Sequence, residues 1–449
     1  MRKLAAVAVL LLATLPAFAG DPALAPTPPM GWNSWDAYEQ RITEAQLLGN
    51  ARWMAEHLKS FGWQYVVVDE GWYLPNPESD PKNFKFTLSS DGRFFPSPNR
   101  FPSAANHAGF KPIADQVHAL GLKFGIHILR GIPREAVEKN LPIAGSSYHA
   151  PEAADTSDTC PWNAYNYGVK NSAAGQAYYD SVFQLYAAWG VDFVKVDCIA
   201  DHPYKPDEIR MIHLAIQKSG RPMVLSLSPG PTAIEHAGEV ARYAEMWRIC
   251  DDFWDHWGAW AKHEFSQSLY QQFATTAKWA PHVSAGNWPD ADMLPLGHLG
   301  PTPGAGEVRE TRFTRDEQRT VMTLWAIFRS PLMMGGDLLS MDAWTTSLLT
   351  NREVLAVDQH SRENRPVVNT DKTAIWMARP EGGDGYYLAV FNISDAEQAI
   401  EYAWKDVAVA EGRYRERDLW EGTDLPVAAS LKVTLKPHAS VLYRLSGRD

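Results

Sequence analysis

The sequence predicts an α/β protein: a (β/α)8 TIM barrel followed by a smaller antiparallel β-sandwich domain. Short aliphatic runs alternate with helix-spaced segments eight times, over roughly 330 residues, which is barrel-sized. Two long stretches rich in Pro, Gly, Asn and aromatics, 72–105 and 130–173, each follow a strand, as loops on the catalytic face of a barrel do. From about residue 359 helical spacing gives way to short runs between Gly, Asp and Asn turns, the pattern of a small antiparallel domain.

The elements follow in order. Met1-Arg2-Lys3, an apolar run over 4–15 and Pro16-Ala17-Phe18-Ala19 have the form of a secretory signal. Residues 1–19 are therefore expected to be removed and the mature chain exported, to a periplasm or out of the cell. The apolar run is too short to span a bilayer, and no later segment offers ~18 uninterrupted apolar residues, so no membrane partner is expected. Met30-Gly31-Trp32-Asn33-Ser34-Trp35 reads as the first strand. Thr43-Glu44-Ala45-Gln46 has capping-box spacing. Leu47, Ala51, Met54, Ala55 and Leu58 then recur at helical spacing until Gly62. Tyr65-Val66-Val67-Val68-Asp69 is a continuous aliphatic strand, the kind buried on both faces in a parallel sheet.

The alternation continues with a helix over 113–120, a strand over 122–129 and a helix over 176–189. Strand and helix pairs follow over 191–197 and 207–218, 222–228 and 233–244, and 246–250 and 265–279. A weak strand over 282–285 precedes a helix that opens on the capping box Thr314-Arg315-Asp316-Glu317 and runs to 329. A strand over 331–334 and a helix over 341–349 complete the series. The barrel is assigned to 20–357 and the β-domain to 358–449. An open doubly wound sheet would place a Gly-x-Gly-x-x-Gly turn after its first strand, and none is present.

Composition narrows the function. The chain has 449 residues, 45% hydrophobic and 21% charged, so it has ample core and no disorder signature. Its 42 basic and 53 acidic residues give a net charge of −11, which argues against a nucleic-acid partner. Three cysteines, Cys160, Cys198 and Cys250, leave one thiol over if two pair, and no Cys-x-x-Cys suggests structural zinc.

Polar residues at the C-terminal ends of barrel strands converge on one pocket. Here they are Trp35, Asp69 and Glu70, His127, Lys195 and Asp197, Ser228, Arg248, Asp251 and Asp252, Asp290 and Asp292. Carboxylates with His could hold a metal. Alternatively, two carboxylates perform acid–base and nucleophilic chemistry while the others hold sugar hydroxyls. Only His127 lies at a strand end, which favours the second reading. Lys195 lies two residues before Asp197, so both point to one side of the strand, and an ammonium nearby favours an ionised nucleophile. Arg248, four residues before Asp252, can clamp a hydroxyl or orient an acid. Trp35 and Trp72 flank strand ends, where indole faces could stack on sugars. Trp32, Trp63 and Trp189 are expected in the core, and Asp251 is equally a helix-cap candidate.

At these residues the chain resembles glycoside hydrolase family 27, the α-galactosidase and α-N-acetylgalactosaminidase family. Five segments carry the resemblance, in order: Pro29 to Trp35, Val68-Asp69-Glu70-Gly71-Trp72, Lys195-Val196-Asp197-Cys198, Trp247 to Asp255, and Trp288 to Leu294. The resemblance implies Asp197 as nucleophile and Asp252 as acid/base. Configuration would be retained, with the two carboxyls roughly 5–5.5 Å apart. It implies substrate contacts from Trp35, Asp69, Glu70, His127, Lys195, Ser228, Arg248 and Asp292, a candidate disulfide between Cys160 and Cys198, and no metal or organic cofactor.

Two departures bear on the sugar. Many α-galactosidases have two Asp where this chain has Asp69-Glu70, and members acting on β-L-arabinopyranosides are similar in having Glu. Ser228 in Ser226-Leu227-Ser228 resembles the N-acetylgalactosaminidase branch. The expectation is a retaining exo-glycosidase releasing terminal α-D-galactosyl residues from oligosaccharides or polysaccharides, with the two sister specificities as alternatives. A non-catalytic carbohydrate-binding barrel and a metal-dependent aldolase or isomerase are the competitors from other classes.

Overall fold

The computed structural model describes residues 23–258, 266–300 and 307–447. The expected leader, 1–19, lies outside the described residues. Eight parallel strands form one curled sheet: β1 (Met30–Asn33), β2 (Tyr65–Val68), β3 (Lys123–Leu129), β4 (Phe193–Asp197), β5 (Val224–Leu227), β6 (Met246–Arg248), β7 (Trp288–Asp290) and β8 (Leu332–Met334). Each pairs with its neighbour in sequence, and β8 returns to β1. The last gap closes just beyond β7, where Leu294 bridges Met334 in parallel. There the Leu294 N–H donates to the Met333 carbonyl at 2.8 Å, and the Gly335 N–H donates to the Leu294 carbonyl at 3.0 Å.

Helices α1 (Glu44–His57), α2 (Lys111–Ala119), α3 (Ala173–Trp189), α4 (Pro206–Ser219), α5 (Ala237–Tyr243), α6 (Leu269–Trp279), α7 (Arg315–Phe328) and α8 (Ala343–Leu349) follow the strands. Thr43 and Thr314 make the expected capping boxes with Gln46 and Glu317, satisfying N–H groups left unpaired at the helix starts. Among the described residues no helix is long and apolar enough to cross a membrane.

The period of two along each strand separates two apolar layers. Val66, Val68, Phe124, Ile126, Val194, Val196, Leu225 and Leu227 face outward into the large core shared with the helices. Tyr65, Val67, Phe193, Val224, Met246, Trp288 and Met333 form a separate cluster inside the barrel, with Ala25 packed among them. Gly125 makes room there: a Cβ would lie 2.9 Å from the Val67 side chain and 3.0 Å from that of Phe193. One step further along each strand the same inward side becomes polar, at Asp69, His127, Lys195, Ser226 and Arg248.

The seventh strand is a correction. Residues 282–285 are not a strand; Ala280–His282 is a 3-10 turn and the strand is Trp288–Asp290. Aliphatic pattern could not mark it, because its core residue is one tryptophan followed by Pro289. Trp288 is fully buried and its indole N–H donates to the Ala25 carbonyl at 2.9 Å, a contact 263 residues away in sequence.

Beyond a further helix, Arg352–Gln359, eight antiparallel strands follow: β9 (Ser361–Asn369), β10 (Thr373–Pro380), β11 (Tyr386–Asn392), β12 (Gln398–Ala403), β13 (Tyr414–Asp418), β14 (Thr423–Ala428), β15 (Ser430–Leu435) and β16 (Ser440–Ser446). The larger sheet has the order β9-β10-β11-β16-β13-β14 and the smaller is β12-β15. Ile375, Leu388, Val390 and Leu445 of one meet Ile400, Leu431 and Leu435 of the other in a core of their own. This is the expected sandwich. The other face of the larger sheet joins the barrel core through Trp376, Ala389, Phe391 and Leu442.

The two insertions form a wall at the C-terminal end of the barrel. The stretch 130–173 is more than loop: Asn166–Val169 is the centre of a small antiparallel sheet with Ile132–Pro133 and Ala154–Thr159. Buried Arg130 binds it to the barrel, donating to the Cys198 carbonyl at 2.6 Å, to Asp158 at 2.9 Å and to Glu208 at 2.8 Å.

Candidate active site

A cavity of about 790 Å³ opens at the C-terminal ends of the strands, within the usual range for ligand sites. Trp35, Asp69, Glu70, His127, Lys195, Asp197, Ser228, Arg248, Asp252 and Asp292 all line it, as does Asp251. Asp290 is buried beneath Asp292, accepting its N–H at 2.9 Å. Burial and the Asp292 carboxylate push Asp290 well above the usual carboxylate range. Asp251 caps no helix; it is half-buried at the pocket wall.

Two charge clusters organise the pocket. In the first, Asp69 is buried and accepts from the Asn33 amide at 2.7 Å, the Lys195 ammonium at 3.0 Å and the Glu70 N–H at 2.8 Å. Burial opposes its charge, but Lys195, His127 and these donors hold its carboxyl well below the usual carboxylate range. Asn33 also accepts the Trp35 N–H at 2.9 Å, which fixes the start of the segment presenting the Trp35 indole.

Asp197 ends β4 in the same cluster. Its Oδ1 accepts the Cys198 N–H at 2.7 Å and its Oδ2 faces His127 Nε2 at 3.6 Å. Despite burial, His127 first, then Lys195 and the Cys198 N–H, hold Asp197 below its ordinary value. His127 is raised in turn: burial disfavours its charge, but Asp69 and Asp197 outweigh that. The side chain facing Asp197 is His127, while Lys195 forms its ion pair with Asp69. Cys198 next to Asp197 is bonded to Cys160, with 6.0 Å between their Cα atoms, as the resemblance implies. Cys250 is the free thiol and is buried.

In the second cluster Arg248 is buried between two carboxylates, 2.9 Å from Asp292 and 3.1 Å from Asp252. Asp292 also accepts the Phe253 N–H and the Met293 N–H, each at 2.8 Å. Asp252 is exposed at the pocket wall. Three residues on, fully buried Asp255 accepts from Arg309 and Arg312 and from the Arg312 N–H. The segment carrying Asp252 is thus tied to the one leading into α7.

Glu70 points into the pocket and accepts from the Asn163 amide and, at 3.5 Å, from the Tyr73 hydroxyl. Burial, with the charges of Asp197 and Asp69 set against the pull of His127, pushes Glu70 up to about 7. A carboxyl raised from 4.5 to about 7 holds its proton more tightly folded than unfolded. Its contribution to stability is therefore complete below about 4.5 and is lost as pH rises to about 7. Glu70→Gln keeps an acceptor for Asn163 without the charge. The variant is expected to exceed the parent in urea stability by about 2 kcal/mol at about pH 8, and to show no gain at about pH 4.

Trp72 is a correction. It is fully buried, not a sugar platform; its indole N–H donates to the His127 carbonyl at 2.8 Å and packs edge-on against Phe110 and Trp189. Trp32, Trp63 and Trp189 are in the core as expected. The sequence reading did not single out Asp36, Gln40, Trp162, Asn163 or His202, which also line the cavity. For Asp36 the available signal was its place directly after Trp35 at a strand end. Trp162 and Asn163 follow Cys160 closely, and that spacing was the only signal for them.

Residues 165–360 match the alpha galactosidase A family model, and 370–445 match the alpha galactosidase C-terminal beta sandwich domain. Among solved structures, a family-27 β-L-arabinopyranosidase from Geobacillus stearothermophilus superposes with a TM-score of 0.90 at 48% identity, covering 97% of this chain and 99% of that one. The chain belongs to glycoside hydrolase family 27. It is a glycosidase.

Other relatives of this family-27 hydrolase are similarly complete. A Bacillus halodurans protein with a provisional α-N-acetylgalactosaminidase description is 46% identical, with a TM-score of 0.83 and coverage of 94% and 98%. The α-galactosidase of Cyamopsis tetragonoloba is 27% identical over 432 residues, which is 95% of this chain and 88% of the relative.

Proposed function

We propose that the protein is a retaining exo-glycosidase that removes a terminal β-L-arabinopyranosyl residue from the non-reducing end of oligosaccharides or polysaccharides. In this reading Asp197 attacks the anomeric carbon while Asp252 gives its proton to the leaving oxygen. A glycosyl ester on Asp197 forms as the glycosidic bond breaks. Asp252 then takes a proton from water, which attacks the same carbon and frees Asp197. Two displacements restore the starting configuration. His127, facing Asp197 at 3.6 Å, and Lys195 hold that carboxyl below its ordinary value, which favours the ionised nucleophile. Asp69 with Lys195, and Arg248 with Asp292, are held as two buried pairs, so they meet sugar hydroxyls with little reorganisation.

The observation that carries the choice of sugar is Glu70, held at the pocket wall beside Asp69 by Asn163 and Tyr73. Its extra methylene carries a carboxyl towards the space a galactose hydroxymethyl would need. β-L-Arabinopyranose has the galactose arrangement of hydroxyls and lacks that group. The 48%-identical relative acts on this sugar by its description, and an aspartate-to-alanine variant of it is described in complex with arabinose. An α-D-galactosidase is the second reading, favoured by the full-length α-galactosidase relatives.

A panel of aryl β-L-arabinopyranoside, α-D-galactoside and α-N-acetylgalactosaminide tests both. The arabinopyranoside is expected to give the highest kcat/KM. An α-galactoside turned over faster would overturn the choice of sugar, and turnover of none would overturn the enzyme assignment.

A further inference from the structure

We infer that the two insertions build a second sugar subsite on the leaving-group side, with the Trp162 indole as its platform and a neutral pyranose as its occupant. The inference rests on the exo-glycosidase reading, not on which terminal sugar is removed. The Asp69–Lys195 and Arg248–Asp292 pairs share a cavity of about 790 Å³ whose outer wall is supplied by the two insertions, through Pro77, Phe84, Trp162 and Tyr165.

Trp162 stands at that outer wall with half its surface exposed. Among the described residues it is the only exposed tryptophan. The indole does not stand on a loose loop. Two residues before it, Cys160 is bonded to Cys198, the neighbour of Asp197. The next residue, Asn163, is buried, donates to Glu70 and accepts the Tyr165 N–H at 3.1 Å. Tyr165 in turn packs edge-on against Phe84 of the other insertion, with ring centroids 5.9 Å apart. Presenting an apolar face to water on a pinned segment serves a ligand whose own face is apolar and whose edge is polar. A pyranose is such a ligand.

The rim chemistry matches. Arg41 and Glu78 line the same cavity as an exposed pair 3.4 Å apart, with Glu39 on the other side of Arg41 at 3.1 Å. These groups offer both donors and acceptors to hydroxyls. They carry no excess positive charge that would select an acidic sugar.

The test compares two substrates of the terminal sugar the enzyme prefers: a disaccharide, which fills both subsites, and the glycosyl fluoride, which has no second sugar. Trp162→Ala is expected to lower the ratio of kcat/KM for disaccharide over fluoride about three- to tenfold, the worth of one aromatic stacking contact. Trp162→Phe should recover most of that ratio. Equal losses on both substrates, no loss on either, or a wild-type enzyme that takes the fluoride but no disaccharide would each overturn the subsite. Failure of the wild type on the fluoride would instead overturn the proposed function. The indole is half exposed, so its removal opens no core cavity, and a thermal melt of both variants checks that the fold is kept.

Discussion

Asp197→Asn is expected to lower kcat by about four orders of magnitude or more, as removal of a nucleophile does elsewhere, with the fold unchanged. The structural reason for intact folding is local. An Asn at 197 still offers an oxygen to the Cys198 N–H, which Asp197 now accepts at 2.7 Å, and the barrel layer below it is apolar and separate. The chemical reason for lost turnover is that an amide oxygen cannot form the glycosyl ester. The positive charge of Lys195 would also lose one of the carboxylates that balance it. Single-turnover kinetics and a thermal melt check the two halves. Residual activity above about one part in a hundred with a normal melt would remove Asp197 from the role of nucleophile.

The second large effect should depend on the leaving group. Asp252→Ala is expected to lower kcat/KM for a disaccharide by about 10²- to 10⁴-fold, the range of general acid catalysis. The loss should be far smaller for a glycosyl fluoride or a nitrophenyl glycoside, whose leaving groups need little protonation. Asp252 is exposed and tied to Arg248 at 3.1 Å, so its removal leaves Arg248 paired with Asp292 at 2.9 Å. The fold should therefore be unaffected. Equal losses on good and poor leaving groups would show that Asp252 does not supply the proton.

The legibility of the site in the sequence follows from geometry. Inward positions on a barrel strand recur every second residue, so Tyr65, Val67 and Asp69, or Phe193, Lys195 and Asp197, can be read as a climb from core to site. All ten expected site residues line one cavity, though Glu70 does so from just past the end of its strand, out of step with that alternation. The pairing among them was less legible. Lys195 was expected as the electrostatic support of Asp197; it does help hold Asp197 below its ordinary value, but its ion pair is with Asp69, and His127 is the group facing Asp197. Which cation meets which carboxylate depends on separations across different strands, and sequence spacing along one strand does not set those.

The sequence by itself determined the alternation of strands and helices, the change to an antiparallel domain, and the polar residues that crown the barrel. Each of these is a local periodicity, written within a few residues of the element it describes. Tertiary structure alone decided the rest. Trp288 is a strand residue because its backbone pairs with Met246, and Ala25, far away in sequence, receives its indole N–H. Trp72 turns inward because the His127 carbonyl and the rings of Phe110 and Trp189 offer it a buried place. Trp162 turns outward because the Cys160–Cys198 bond and the Asn163–Glu70 contact fix its segment at the pocket mouth. The three tryptophans differ in what surrounds them after folding, and no local pattern encodes contacts made between distant parts of the chain.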